Sequence, residues 1–375
     1  MSVEIRRTPI GGRIKDFLEV VDYIYRDDPN YVRALDMEVK ERLSNKHPFW
    51  AHAEGVILTA YRNGFCVGRC TAHIDREHLA RYRDDVGSFG FFDTVDDEEV
   101  ARALIEDASN WLRERGMKKI RGPLSLSVND EIGCLVEGFD TPPMVMMPHH
   151  LPYQGGLIEK AGLTKLKDLY SWRYVVGDVP ARARKAHDEI AAMPEISARP
   201  VDVKNVDAEV RTVIDIFNDG WSDNWGFVPY TDAELTKQAK DLKLLLDPRL
   251  TLIVSINGEP SAVALALPNL NEIIRDFGGK IGPMNLAKLF WRLKVQGPKT
   301  ARLAILGIRK KIRHQKRYAG LSTYMYAQMN QAGQRCGIDW GELSWTLEDN
   351  APVNLAIKFM GGKIYKRYRL YEGEL

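Results

Sequence analysis

Residues 301–370 read ARLAILGIRKKIRHQKRYAGLSTYMYAQMNQAGQRCGIDWGELSWTLEDNAPVNLAIKFMGGKIYKRYRL, and the order of elements in this stretch decides the fold. The apolar run 303–308 predicts a strand and leads into a basic segment. A glycine-containing turn, Arg317-Tyr318-Ala319-Gly320-Leu321-Ser322, then opens a helix on which Leu321, Tyr324, Met325, Met329 and Ala332 share one stripe. A second strand is predicted over 342–347. An asparagine-rich turn, a short helix ending at Gly361-Gly362 and a terminal strand follow. A strand feeding a glycine turn at a helix start gathers unpaired backbone N–H groups and the positive end of the helix dipole at one point. Chains commonly hold a phosphate or pyrophosphate this way.

Working outward, 375 residues with 45% apolar content suffice for a large core and two domains of ordinary size. A formal net charge of +2 argues against a protein built to wrap nucleic acid. Cys66, Cys70, Cys134 and Cys336 show no metal-ligand repeat and read as reduced packing residues, which places the chain in the cytoplasm. The first residues lack a secretory pattern, and no segment holds about 20 uninterrupted apolar residues, so no spanning helix is expected, while peripheral contact with the inner membrane stays open.

In the first half, a strand is expected over 3–10, helices over 14–26 and 30–43, and a hairpin about Asn63-Gly64. A helix over 97–115 buries Val100, Leu104, Ala108, Trp111 and Leu112, but the acidic run Asp93 to Glu99 before it would repel a phosphate. A strand is expected over 119–126. The Met- and Pro-rich segment 142–153 suits either a binding loop or a packing loop. His149 and His150 lack the partner cluster a metal site needs, so no metal is assigned and both read as surface or loop-packing residues.

Segment 177–195, with a polar helix, reads as a linker between domains at 1–176 and 196–375. The second domain repeats the order of the first: strand, helices, and a hairpin about Asn257-Gly258. Its loop 218–230 carries Trp221, Trp225 and Tyr230, placed either to enclose a substrate or to cap the core. Phe277, Leu286, Leu289, Phe290 and Trp291 supply either one wall of an acyl tunnel or ordinary packing.

This order resembles the GNAT N-acyltransferase fold, whose pyrophosphate turn has the form Arg/Gln-x-x-Gly-x-Gly/Ala. Arg317 and Gly320 match, and Ser322 stands at the third position. The resemblance implies an α/β fold with tandem GNAT-like mixed-sheet domains, the first degenerate and the second binding acyl-CoA as donor substrate. Residues 342–350 and 361–369 are further similar to the bacterial ceramide synthase-like group, in which a fatty acyl group passes from acyl-CoA to a sphingoid base. The implied partners are acyl-CoA and an amine, lipidic in the bolder reading. An aminoacyl or other activated-donor transferase and a non-catalytic acyl-CoA or lipid-binding protein are the alternatives.

On that reading the backbone about Ile308, Arg309, Arg317, Tyr318, Ala319, Gly320, Leu321 and Ser322 holds the cofactor. The upstream cations up to Lys316 either neutralise phosphate charge or form a solvated, lipid-facing surface. Glu342 is the candidate general base, or else an exposed strand residue or an ion-pair partner. Asn350 orients water or caps the next helix, and Tyr365 either protonates the thiolate or packs. Cys336 has no evident base, and direct transfer needs no covalent intermediate.

Overall fold

Asn63-Gly64 and Asn257-Gly258 both adopt positive φ, 53° and 80° in the first pair and 52° and 80° in the second, in the computed structural model, which describes residues 2–375. Two successive left-handed residues form the turn that matches strand twist, so each dipeptide closes a tight hairpin. The strands so joined are Ala53–Arg62 with Phe65–Asp75, and Thr251–Ile256 with Glu259–Pro268. The chain divides into two units. One runs up to Leu169 and takes in Ile274–Leu289 and Lys366–Leu375; the other comprises Tyr170–Ile273 and Phe290–Tyr365.

In the first unit, antiparallel strands Glu4–Pro9, Ala53–Arg62, Phe65–Asp75 and Val86–Thr94 pair in sequence order. Val86–Thr94 then pairs in parallel with Lys119–Gly122, across the helix Glu98–Arg113. The expected face of that helix is buried: Val100, Leu104, Ala108, Trp111 and Leu112 join Leu58, Ala60, Ala72 and Phe89 in one core. Phe17, Leu18 and Val39 help form a second core with Phe49 and Phe91.

In the second unit, Ile196–Arg199, Thr251–Ile256, Glu259–Pro268 and Thr300–Ile308 form an antiparallel series. Thr300–Ile308 pairs in parallel with Trp340–Leu347 across the helix Leu321–Cys336. Leu321, Tyr324 and Met325 pack with Ile190, Val254 and Ala264 in one cluster, while Val213 and Ile216 of the helix Val206–Trp221 pack on Ile253 and Val263 in another. The Leu321–Cys336 helix ends at Gly337, whose φ of 71° lets the following Ile338 N–H reach Gly333 O at 3.0 Å.

Several expectations change in detail. The second helix covers Asp36–Arg42 rather than 30–43, because Asp28 accepts the Asn30 N–H and holds the chain in a turn there. The segment 119–126 is two strands, Lys119–Gly122 and Leu124–Ser125, since Pro123 has no N–H to continue a ladder. The helix Val206–Trp221 carries Trp221 within it rather than in a loop. Asn350 occupies the first cap position of Ala351–Phe359, but its side chain makes no capping bond.

Segment 142–153 packs inward, with Met144, Val145, Met147, His149 and His150 buried. His149 Nε2 lies 2.7 Å from Asp28, and His150 Nδ1 accepts the Leu135 N–H at 3.1 Å. All four cysteines are unbridged, and burial pushes their thiols up from the usual range. Among the described residues, no helix is long and apolar enough to cross a membrane.

Candidate active site

Two parallel strands that part make room for a ligand. Thr300–Ile308 and Trp340–Leu347 are paired from Thr300 and Trp340 to Leu303 and Leu343. On its other edge the first strand shifts register between Leu265 and Ala266, leaving Ala304 opposite no partner in that ladder. From that point Thr300–Ile308 runs on to a short helix, Lys310–Arg313, and the turn Lys316–Tyr318, which precede the crossover helix.

The helix start is Gly320, with no side-chain cap and no acid in the first turn. Its leading N–H groups are therefore available to an anion, and the dipole favours one there. Leu321 is fully buried and anchors the turn, and Tyr318 is buried beside it with its hydroxyl 3.4 Å from Glu195. Arg317 is mostly exposed and pairs with Glu195.

The cations before the turn face carboxylates. Arg309 pairs with Asp215, Lys310 and Arg313 with Asp223, and Lys311 with Glu259. Arg309 also donates to Pro260 O at 2.9 Å, and Asp219 accepts the Lys310 N–H at 2.7 Å. These bonds brace the strand end against the Val206–Trp221 helix. His314 and Lys316 are exposed.

Glu342 is fully buried on the partner strand, directly across from Arg302. Its carboxylate accepts hydrogen bonds from the hydroxyls of Ser344 and Tyr365. Arg302 Nε donates to Ser344 Oγ at 2.8 Å and lies 3.9 Å from the Glu342 carboxylate. A buried carboxylate with one cation and two hydroxyl donors beside it is solvated by protein instead of water. Trp340 packs edge-on against Tyr365, ring centres 5.7 Å apart, and fixes the phenol.

Glu342 also forms part of the wall of a cavity of about 60 Å³. The remaining wall is largely apolar, including Leu303, Tyr326, Met329, Leu343 and Met360. The Tyr174 hydroxyl, also on this wall, is buried without a hydrogen-bond partner, and burial pushes its phenol up to about 12.

The aromatic residues fall elsewhere. Phe217 stacks on Trp221 at 4.6 Å and meets Phe227 and Tyr230 at 5.6 and 6.2 Å. Trp225 is half-buried in the same loop. Trp221 lies flat over Gly307, where a Cβ would sit 2.3 Å from its ring, so only glycine admits it. Gly307 is five residues along the strand from Arg302, about 16 Å at the usual rise. The structure thus brings Glu342 and Tyr365 together, and puts Trp221 against Gly307, farther along the facing strand, with Tyr230 near Phe217.

Sequence reasoning missed Ser344, although Glu342 and Ser344 share one strand face by the period of two, and Arg302, which strand pairing alone sets across from Glu342. It also missed the chain from Trp172 Nε1 to Thr346 Oγ1 at 2.9 Å and on to Asn354 Oδ1 at 2.7 Å, which ties the Ala351–Phe359 helix to the strand bearing Glu342.

A hairpin followed by a parallel strand, helix, strand crossover, present in both units, defines a tandem GNAT-type fold. A tandem GNAT protein from the clavulanic acid biosynthesis pathway superposes with a TM-score of 0.58 over 100% of this chain and 98% of its own, at 11% identity. In sequence, the chain is 39% identical over 380 residues to the bacterial ceramide synthase of Caulobacter vibrioides, covering 100% of this chain and 98% of that protein. It is 38% identical over 365 residues to the protein YghO of Escherichia coli, covering 96% and 93%. No family model matches the chain. The chain belongs to the bacterial ceramide synthase-like group and has a tandem GNAT fold.

Proposed function

We propose that this acyl-CoA-dependent N-acyltransferase acylates a long-chain primary amine, a sphingoid base, with a fatty acyl group. The observation that carries the reaction is Glu342: a fully buried carboxylate bonded to Tyr365 and Ser344, on the strand that parts from the one feeding the open helix start. The amine and the fatty acyl group rest on the 39% identity to a ceramide synthase over the whole chain, and the apolar wall beside Glu342 agrees with an apolar substrate.

In this reading the N–H groups of Gly320, Leu321 and Ser322 hold the pyrophosphate, with Ile308, Arg309, Arg317, Tyr318 and Ala319 shaping the turn. The thioester carbonyl lies between the parted strands, and the neutral amine attacks it. As the N–C bond forms, an amine proton passes to the Tyr365 oxygen while the Tyr365 proton moves to Glu342. The C–S bond then breaks, and the proton returns through Tyr365 to the leaving sulfur, giving an amide and free CoA. Arg302 and Ser344 orient Glu342: the Ser344 hydroxyl donates to its carboxylate, and Arg302 donates to Ser344 and lies 3.9 Å from the carboxylate. Trp221, Trp225 and Tyr230 form the outer wall for the substrate, and Asn350 orders the turn after the strand.

Purified protein given mixed short- and long-chain acyl-CoAs, aminoacyl donors, and a panel of sphingoid bases, amino acids and polyamines tests this by mass spectrometry. An N-acyl sphingoid product with stoichiometric free CoA is expected. Acylation of a short polar amine alone, or turnover only with an aminoacyl donor, removes the sphingoid assignment.

A further inference from the structure

The helix Pro283–Trp291 is built inside out. None of its residues is buried, and its largest apolar side chains point to solvent: Met284 is 72% exposed, Leu286 45%, Phe290 60% and Trp291 59%. At about 100° per residue these four and Ala287 fall within one arc of about 160°. The opposite side carries Asn285, Lys288 and the half-buried Leu289. Asn285 Nδ2 donates to Lys280 O at 2.8 Å, Lys288 Nζ reaches Asp276 at 3.1 Å, and just beyond the helix Arg292 donates to Ile273 O at 2.5 Å. A helix that spends its polar face on anchoring itself leaves the other face for an apolar medium, and a contiguous exposed patch of this size marks an interaction site. It is not a tunnel wall: of the residues expected to form one, only Phe277 is buried, and the cavity beside Glu342 is lined by others.

The charge around the patch narrows the occupant. In sequence, residues 275–299 hold Arg275, Lys280 and Lys299 besides the inward-side Lys288 and Arg292, and the carboxylate there, Asp276, pairs with Lys288, in a chain whose net charge is only +2. A second copy on a two-fold axis would set this basic segment against itself. An anionic surface with an apolar interior meets both demands, and Trp and Phe at such a surface sit at headgroup depth. We infer that the outward face of Pro283–Trp291, extended by the 60% exposed Val295, docks the protein on an anionic phospholipid bilayer. The inference does not depend on which amine is acylated.

Co-sedimentation of the full chain with phosphatidylcholine vesicles, with and without phosphatidylglycerol, tests it. Binding is expected to require phosphatidylglycerol and to fade as salt rises from roughly 0.1 to 1 M, where the screening length falls to about 3 Å. The double variant Phe290→Ser, Trp291→Ser is expected to lose about tenfold or more in partitioning, with an unchanged melting temperature because both side chains are exposed. Lys280→Glu with Lys299→Glu should lower binding without touching the apolar face. No sedimentation of the parent protein, or sedimentation unchanged in the apolar double variant, overturns the inference. A dimer in gel filtration that the apolar variant dissociates, without vesicle binding, assigns the face to a second copy instead.

Discussion

The two crossover helices of this chain start in opposite ways. In the first unit, Asp97 caps Glu98–Arg113 by accepting the N–H groups of Glu99 and Val100 at 3.0 and 3.2 Å, and Glu98 and Glu99 fill the first turn. Arg62 pairs with both Asp97 and Glu99 and completes the closure. In the second unit, Leu321–Cys336 starts at Gly320 with neither cap nor acid. The strands differ in the same sense. Ser88 faces Arg121 at the third pair of the first parallel ladder, whereas Arg302 faces Glu342 at the third pair of the second. Gly90 lies directly under Leu124, whose carbonyl oxygen would be 1.9 Å from a Cβ there, and Phe91 N–H donates to Ser125 Oγ. One repeat has used its helix-start N–H groups to stabilise itself, and the other leaves them without a side-chain cap.

The sharpest test of that contrast is Glu342→Gln, which keeps shape but removes the base. Turnover should fall about 10²–10⁴-fold, while acyl-CoA affinity measured by calorimetry stays near that of the parent. An equal loss in both would mean that Glu342 is structural.

Acid should act on the first unit. Burial pushes His73 and His150 down to about 4, and His78 and His149 are lowered as well. All four belong to that unit. Their folded values lie below the unfolded one, so the unfolded chain binds more protons as pH falls. Stability is fully present above the unfolded pKa of about 6.5 and is lost toward pH 4, by about 1.4 kcal/mol per pH unit for each of His73 and His150. Melting curves from pH 7.5 to 5 should show the drop, and His73→Gln or His150→Gln should flatten it.

Ser322→Asp puts an acid in the second helix at the position Glu99 holds in the first. Acyl-CoA affinity should weaken about 10- to 100-fold through repulsion at the helix start, with the helix itself slightly steadier. Unchanged affinity would move the pyrophosphate site elsewhere. The smallest effect belongs to Asp97→Ala, which should cost about 1 kcal/mol, or a few degrees of melting temperature, and leave acyl-CoA affinity and turnover alone. A gain of acyl-CoA binding at the first unit would show that the closure is only that cap.

Much of this was legible because it is local. Asn-Gly pairs demand left-handed residues, the stripe from Leu321 to Ala332 demands a buried helix face, and Arg317 to Ser322 contains no acid. The acidic approach to residue 97 marked the first unit as closed for the same reason. The histidine pair was harder, because nothing in the sequence says that Asp28 and the Leu135 N–H come to meet it.

The sequence by itself determined the elements, their order and the open character of one helix start, because periodicity and turn chemistry act within a few residues. Only the tertiary structure decided what surrounds Glu342. Arg302 and Tyr365 lie 40 and 23 residues away from it in the chain, and strand pairing and packing bring them together. It also decided that Pro283–Trp291 turns its apolar side outward, since a helical period shows that two faces exist, while the bonds made by Asn285, Lys288 and Arg292 choose which one meets the protein.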